Sequence, residues 1–532
     1  MDIRVETSSV FFPDDSALVG FVRTWANTIH GRTRPGVVRR ELLVRVGDPC
    51  DRARLAESER VLRSLPYIRE ASITATAGDG GVRLLVRTRD EWSLSTSARI
   101  EEGHGFPLRR FRVAEENFLG RGVRTQLRYD GLRRRPAYDL EVTTHQLFTR
   151  FDGTIIAGRS SVGLIGEQRL MRPFETEFDR WAWRQSARYR KEPFVFFSPV
   201  FGQVDQPVVA FSADVGAAVR AGSPGRLFLA GAALSGERLY TEGAPMAAVP
   251  GDDSAAASAF DGRFGERRRV RVYLFTGARA LRFRSHYGVD AVHGLEDVRE
   301  GIEAGVVVGK SLFGGLDLQH DWFAAAELYY GAEYEHQLVF VRGKLEGRYL
   351  LAEREWDGVL LDGQFLVYNN VDQRGVFLFG GSVAGGWHIR TPFQLTLAGL
   401  NGMRGYGYGS LPVGRRIVLH GEHRHFLGTV FGAVDLGTAA FLDVGRGWAG
   451  EAVFGADTGV RAAIGVGLRA AAPRGSRRTY RIDLAVPLGR GEGVQLQVAL
   501  RQQFGIFRGG PDDLARSREQ VSSTTIFNFP RF

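Results

Sequence analysis

The sequence predicts a mainly β fold: a sixteen-stranded antiparallel transmembrane β-barrel preceded by one small α+β domain. Three observations lead there. From Val460 to Leu468, one parity reads Val460, Ala462, Ile464, Val466, Leu468, and the other Arg461, Ala463, Gly465, Gly467. The alternation returns where Ile482, Leu484 and Val486 oppose Arg481 and Asp483, and where Val494, Leu496 and Val498 oppose Gln495 and Gln497. A strand sends successive side chains to opposite faces, so each run has one apolar and one polar wall. A soluble sandwich seldom places arginine and glutamine on the second face of every strand, whereas a membrane barrel requires it. Second, no run reaches the roughly 18 apolar residues of a membrane helix, although 44% of the chain is hydrophobic. Third, glycine is abundant (68 residues), which suits turns and a tightly curved sheet.

The charge distribution agrees. The net charge of +10 comes almost wholly from arginine, since only Lys191, Lys310 and Lys344 are lysines. These arginines are spread through strands rather than gathered in a patch, so a wet lumen accounts for them and a nucleic-acid partner is not expected. Cys50 is the only cysteine, so no intramolecular disulfide can form. The expected location is the bacterial outer membrane, with the N-terminal domain in the periplasm. Met1-Asp2-Ile3-Arg4 carries no export signal. The expectation is therefore a mature or truncated form, or a start placed late.

Residues 1–90 read as the small domain. Ile3 to Phe12 is a strand, and Leu18, Phe21, Val22 and Trp25 recur at helical spacing after Asp14, Asp15 and Ser16. A short helix follows Pro35, and a better one runs from Arg52 to Ser64 with Leu55, Leu62 and Leu65 on one side. Ala71–Ala77 and Val82–Thr88 form a hairpin around Gly78-Asp79-Gly80-Gly81. The barrel then occupies residues 91–504. Its first strand lies near Trp92–Ile100 and its last at Val494–Phe504, with Phe504 as the terminal aromatic. The length from Trp92 to Phe504 suits sixteen strands at about 26 residues per strand and connection. Thr241 to Arg269 reads as a long exposed loop. Trp181, Trp183, Tyr189, Trp387 and Trp448 stand near strand ends, as interfacial girdles require. Residues 505–532 lose the alternation and form a C-terminal tail of unassigned use, where Pro530 argues against a central strand.

One constellation carries more information. Asn401-Gly402-Met403-Arg404-Gly405-Tyr406 lies in a glycine-rich loop reaching Gly414. The next strand contains His420-Gly421-Glu422-His423-Arg424, and the one after it Phe441-Leu442-Asp443-Val444-Gly445. Parity turns Glu422 inward with Arg416, His420 and Arg424, and turns Asp443 inward against Leu442 and Val444. This order resembles the outer-membrane assembly-factor superfamily, the BamA- and TamA-like bacterial surface antigen barrels and the two-partner-secretion transporters. The resemblance implies a sixteen-stranded barrel behind periplasmic POTRA domains. It also implies a loop-lock motif (Met403, Arg404, Gly405, Tyr406) that folds back into the lumen, where Arg404 meets the lumen acids Asp443 and Glu422. A carboxylate can hold a guanidinium bidentately and so fix a loop geometrically.

Asn117, Gly120 and Gly122, within Glu116-Asn117-Phe118-Leu119-Gly120-Arg121-Gly122, look like the early barrel motif of that superfamily. Asn27, His30, Thr33, Val38-Arg39-Arg40-Glu41-Leu42-Leu43, Gly47-Asp48, Glu57, Glu59-Arg60, Asp90 and Trp92 resemble a POTRA domain leading into such a barrel. Only one such domain is visible, where general assembly machines have more.

Other motifs do not hold up. His420 lies on the opposite strand face from His423 and His425, so these three do not converge on a metal. Gly305 stands one residue too late for Gly309-Lys310-Ser311 to form a phosphate loop. Gly405, Gly407 and Gly409 lack the following helix of a dinucleotide fingerprint. No nucleophile elbow or acid/base dyad is present, so no enzymatic role, cofactor or metal is expected. The leading functional reading is an assembly, insertion or translocation factor whose partners are unfolded outer-membrane or secreted polypeptides and membrane lipid. The alternatives are a dedicated secretion channel or passive pore, and a membrane anchor for a further N-terminal enzyme domain. The sequence does not identify accessory subunits.

Overall fold

The structure is a computed structural model describing residues 2–10, 30–78, 81–100, 108–131, 136–148, 150–248, 252–312, 320–399, 402–407, 409–489, 493–499, 505 and 513–515. The small domain opens with β1 (Asp2–Ser8). Helix α1 (Pro35–Glu41) starts on a proline, whose absent N–H costs nothing in a first helical turn. Helix α2 (Arg52–Ser64) is capped by Asp51, which accepts from the backbone N–H of Ala53 at 2.9 Å. Strands β2 (Ile68–Gly78) and β3 (Gly81–Asp90) form the hairpin, and β1 adds parallel to β3, giving the order β1-β3-β2. The helices cover that sheet over Ile3, Val38, Leu62, Tyr67, Leu84 and Val86. The helical spacing at Leu18 to Trp25 falls outside the described residues.

The second sheet follows chain order. It starts with β4 (Leu94–Ile100), β5 (Leu108–Glu115), β6 (Val123–Asp130), β7 (Ala137–Thr144), β8 (Asp152–Arg159) and β9 (Leu164–Arg172). Longer strands follow: β10 (Trp181–Ser198), β11 (Gly202–Ser223), β12 (Arg226–Thr241), a two-residue β13 (Met246–Ala247), and β14 (Arg267–Tyr287). Next come β15 (Leu295–Ser311), β16 (Asp321–Tyr334), β17 (Gln337–Leu350), β18 (Glu355–Asn369) and β19 (Gly375–Trp387). After a loop that holds the two-residue β20 (Leu395–Thr396) and β21 (Pro412–Val413), the wall resumes with β22 (Arg415–Val430) and β23 (Val434–Trp448). It ends with β24 (Gly459–Ala471), β25 (Tyr480–Leu488) and β26 (Gln495–Ala499). The long wall strands pair antiparallel in chain order from β4 to β26, with β12 pairing directly to β14, and the order places β4 next to β26. Phe504 lies outside the described residues.

The sixteen-strand expectation needs correction. Among the described residues the wall contains twenty strands of five residues or more. The average repeat misleads because strand length is uneven: six strands of seven to nine residues fit between Leu94 and Arg172, whereas β11 alone has 22.

The alternation has its expected spatial meaning. Val466 and Leu484 are 62% and 48% exposed on the outside, while Arg481 and Asp483 are at most 1% exposed within. Arg269, Arg271, Arg348, Arg404 and Arg416 are buried inside as well. Thr241–Arg269 is not simply an exposed loop. Helix α3 (Asp253–Ser258) buries Ala256, and Phe260 packs edge-on to Phe196 at 5.0 Å and to Phe454 at 5.5 Å. The Ala- and Gly-rich composition concealed these aromatic anchors.

One hairpin leaves the wall. Pairing of β14 with β12 stops at Ala280, and pairing of β15 with β16 stops at Gly301, yet β14 and β15 stay paired to Tyr287 and Leu295. At Gly301 (φ +121°) an added Cβ would strike the Ala280 carbonyl, so the backbones meet where only glycine fits. The freed end folds into the bore, where Val289 and Val298 are buried with Leu338, Phe340 and Tyr368.

Candidate functional site

The loop between β19 and β22 re-enters the bore. It is tied by the pairs Leu395 with Val413 and Thr396 with Pro412, and by Met403 N–H donating to the Leu397 carbonyl at 2.8 Å. Leu395, Leu397, Ala398, Met403 and Tyr406 are buried against Val418 and Ala463 of the wall. At Gly405, φ is +87° and a Cβ would lie 2.9 Å from the Ala463 side chain, so glycine both permits the turn and lets the loop touch β24. Tyr406 Oη donates to the Ala462 carbonyl at 3.0 Å on that strand. Gly445 makes room for Met403, whose Sδ would be 2.6 Å from an added Cβ. Asn401 lies outside the described residues.

Arg404 lies at the centre of this contact and is fully buried. Its Nε and Nη2 donate to the two Asp443 oxygens at 2.8 and 2.7 Å. Its Nη1 donates to Glu422 Oε2 at 2.5 Å. The guanidinium also stacks over the Phe441 ring at 3.5 Å, a cation–π contact that adds to the ionic ones. Glu422 also accepts from Arg424 Nε at 2.8 Å and lies 3.4 Å from Arg469. Asp483 accepts from Arg469 Nη1 at 2.5 Å and approaches Arg481 at 3.3 Å. The structure thus brings Arg404, Glu422 and Asp443 together, inside a wider ionic cluster that sequence reading did not delimit. In such a cluster each charge is tolerated because another compensates it.

Two further segments reach the cluster or the loop beside it. Arg424 Nη1 donates to the Val289 carbonyl of the inserted hairpin at 2.9 Å, and Tyr368 Oη donates to Asp290 at 2.7 Å. The tail, read from sequence as an appendage of unassigned use, places Asp513 and Leu514 inside. Asp513 accepts from Arg416 at 2.6 and 3.0 Å and from the Thr396 backbone at 3.1 Å, and Leu514 is fully buried with the loop. No sequence signal could have found this contact, because the polar tail has no periodicity.

The opposite mouth of the barrel carries the small domain. Asn117 Nδ2 donates to Thr33 Oγ1 at 2.8 Å, and Asn117 Oδ1 accepts from Gly122 N–H at 2.7 Å. Asp90 Oδ2 accepts from Thr33 N–H at 2.8 Å and lies 2.9 Å from His30 Nε2, whose Nδ1 is 2.9 Å from Ser93 Oγ. At Gly120 (φ +70°) a Cβ would stand 2.0 Å from the Arg32 carbonyl. The early barrel motif and the His30–Thr33 segment, separate in sequence, are therefore one joint. Other strand turns hold the domain too. Arg63 pairs with Asp297 at 2.9 Å, Glu57 accepts from Glu177 N–H at 2.8 Å, and Arg477 donates to the Ile68 carbonyl at 2.7 Å. Gln146 donates to Glu41 at 2.7 Å. Burial and then the Asp152 carboxylate push the Glu41 carboxyl up to about 7, against the opposing pull of Arg40, Gln146 and Arg150.

His420 faces the interior, whereas His425 is exposed and its ring lies 6.2 Å from that of His423. Trp181, Trp322 and Trp356 are each nearly half exposed on the outer surface.

No family model matches the chain, and no curated protein matches it in sequence. Among solved structures, the chain is similar to BamA from Haemophilus ducreyi lacking POTRA domains 1–3, at 11% identity and a TM-score of 0.40, covering 88% of this chain and 80% of that one. It is similar to CdiB from Escherichia coli at 8% identity and 0.40, covering 93% and 75%. It is likewise similar to CdiB from Acinetobacter baumannii at 10% identity and 0.35, covering 83% and 73%.

Proposed function

We propose that this chain is an outer-membrane barrel of the assembly-factor superfamily that helps polypeptides enter or cross the membrane. On this reading residues 1–90 are a periplasmic POTRA domain, 91–504 the barrel and 505–532 a tail whose Asp513 and Leu514 lie in the lumen. The observation that carries it is the Arg404 latch. A loop from the far mouth is held inside a barrel by one arginine and two acids on adjacent strands, in the order the resemblance requires.

The mechanism follows from edges. In the small domain β2 is an edge strand whose outer half is exposed, so an extended client segment can add to it through backbone hydrogen bonds. In the barrel, β4 and β26 are the first and last strands of the wall, and their seam is the one place where the sheet closes between strands distant in the chain. Unpaired backbone is costly in lipid, so an opened seam templates a client strand. The client's own folding supplies the energy, and no nucleotide or cofactor is needed.

Cross-linking cysteines placed on β4 and β26 tests this mechanism in liposomes that receive a urea-unfolded barrel client. Loss of client protection on oxidation, with recovery on reduction, supports it. Undiminished insertion through a fully cross-linked seam rules it out. A dedicated secretion channel is the second reading, favoured by a bore filled by the loop and the inserted hairpin. It predicts that bilayer conductance rises strongly when residues 402–414 are deleted.

A further inference from the structure

Where the inserted hairpin leaves the wall, four side chains from separate elements converge. His286 comes from β14, Glu300 from β15, Glu333 from the end of β16, and Asp372 from the β18–β19 turn. The ligand-capable atoms of His286, Glu300 and Glu333 all lie within 4.8 Å of one another. His286 and Glu300 are 5% and 3% exposed.

Two details distinguish this group from an ordinary acidic surface. His286 Nδ1 lies 2.9 Å from Asp372 Oδ2, and the other oxygen of Asp372 accepts from the Tyr287 backbone at 2.5 Å. A carboxylate at Nδ1 places the ring proton there and leaves the Nε2 lone pair free, the arrangement that orients histidine towards a metal. Nε2 is also buried with no hydrogen-bond partner, as is Glu300 Oε1, which faces the same space. A buried acceptor left without a partner is unfavourable, so an occupant is called for. We propose that His286, Glu300 and Glu333 bind a divalent transition-metal cation, with Asp372 orienting the imidazole. One imidazole with two carboxylates suits zinc or manganese, and water completes the shell.

Arg282 and Arg284 stand beside the site. Arg282 Nε donates to Glu300 Oε2 at 2.6 Å, Arg284 Nη1 donates to Glu333, and Arg284 Nε lies 3.6 Å from Glu300 Oε1. Their side chains are 65% and 48% exposed, so each can turn into solvent when a cation takes over the charge of the buried Glu300. The bound ion joins the hairpin to β16 and, through Asp372, to the next turn. The same hairpin delivers the Val289 carbonyl to Arg424, which touches Glu422 of the latch. The ion therefore sets how firmly the hairpin is held against the latch. The ion can bind whether or not a client is present and whether or not the seam opens.

The test uses the full chain, refolded in detergent, loaded with Zn2+ alone and freed of excess by gel filtration. Folding of each variant is checked by the gel-mobility shift of an unheated barrel. One zinc per chain is expected. His286→Ala and Glu300→Gln should lose it, and Asp372→Asn should weaken binding by roughly 10–100-fold as an orienting residue does. Glu333→Gln changes the least buried ligand and serves where His286→Ala fails to fold. A folded wild type that retains no zinc or manganese overturns the proposal. Zinc retained undiminished by the folded Glu300→Gln and Glu333→Gln variants overturns it as well, since the ion then sits elsewhere.

Discussion

Asp443 grips Arg404 three times: its carboxylate accepts from the Arg404 backbone N–H at 3.0 Å, from Nε at 2.8 Å and from Nη2 at 2.7 Å. One side chain thus fixes both the path of the loop and the orientation of the guanidinium. Glu422 then acts on an arginine already in place.

The latch should fail asymmetrically. Asp443→Ala leaves Arg404 buried with Glu422 and removes the backbone tether, a loss of about 3–5 kcal/mol by the cost of stranding a buried charge. Glu422→Gln keeps the tether and should cost less. Trypsin cleavage at Arg404 in folded protein reads the difference. Equal protection of both variants contradicts the account.

At the opposite mouth, Gly120→Ala should release the small domain. The new Cβ meets the Arg32 carbonyl at 2.0 Å, and backbone cannot move aside as a flexible side chain can. Hydrogen exchange at Thr33 and Gly122, whose N–H groups donate to Asp90 and Asn117, should accelerate while the barrel amides stay protected.

Docking of the small domain should depend on pH through Glu41. Its carboxyl is pushed up from 4.5 to about 7, chiefly by burial and then by Asp152, with Arg40, Gln146 and Arg150 opposing. A raised value means that the docked state favours the protonated form. Its contribution is therefore complete below about pH 4.5 and is lost as pH rises through about 7. Protease protection of the domain should fall between pH 5 and 8, and Glu41→Gln should flatten the profile. A flat wild-type profile would refute this assignment.

The tail should stabilise the loop. Asp513→Ala removes both carboxylate bonds from Arg416, a buried cation, and frees the Thr396 amide. The midpoint of heat modifiability should fall, and truncation before Asp513 should lower it by a similar amount. An unchanged midpoint in both variants contradicts a load on that contact.

Much of this was legible in the sequence because a barrel wall has an outer and an inner face of different polarity. The parity of Glu422 and Asp443 followed from the exposed Leu419 and Leu442 beside them, and the helix from Arg52 to Ser64 followed from the spacing of Leu55, Leu62 and Leu65. What stayed hidden depends on distant partners. Alternation continues through Gly301 although β15 has left β16, so the inserted hairpin carries no local mark. His286, Glu300 and Glu333 come from three strands and share no spacing. The joint lay in between: Asn117 and His30 were each noticed, but only the fold unites them.

The central claim is that the latched loop belongs to a polypeptide-inserting machine. The most direct test reconstitutes the chain in liposomes, adds a urea-unfolded barrel client and follows the rate of client protease protection. The account predicts acceleration over empty liposomes, loss of that acceleration in Asp443→Arg, and partial recovery when Arg404→Asp is added to it. Folded wild-type protein that fails to accelerate several such clients would contradict it.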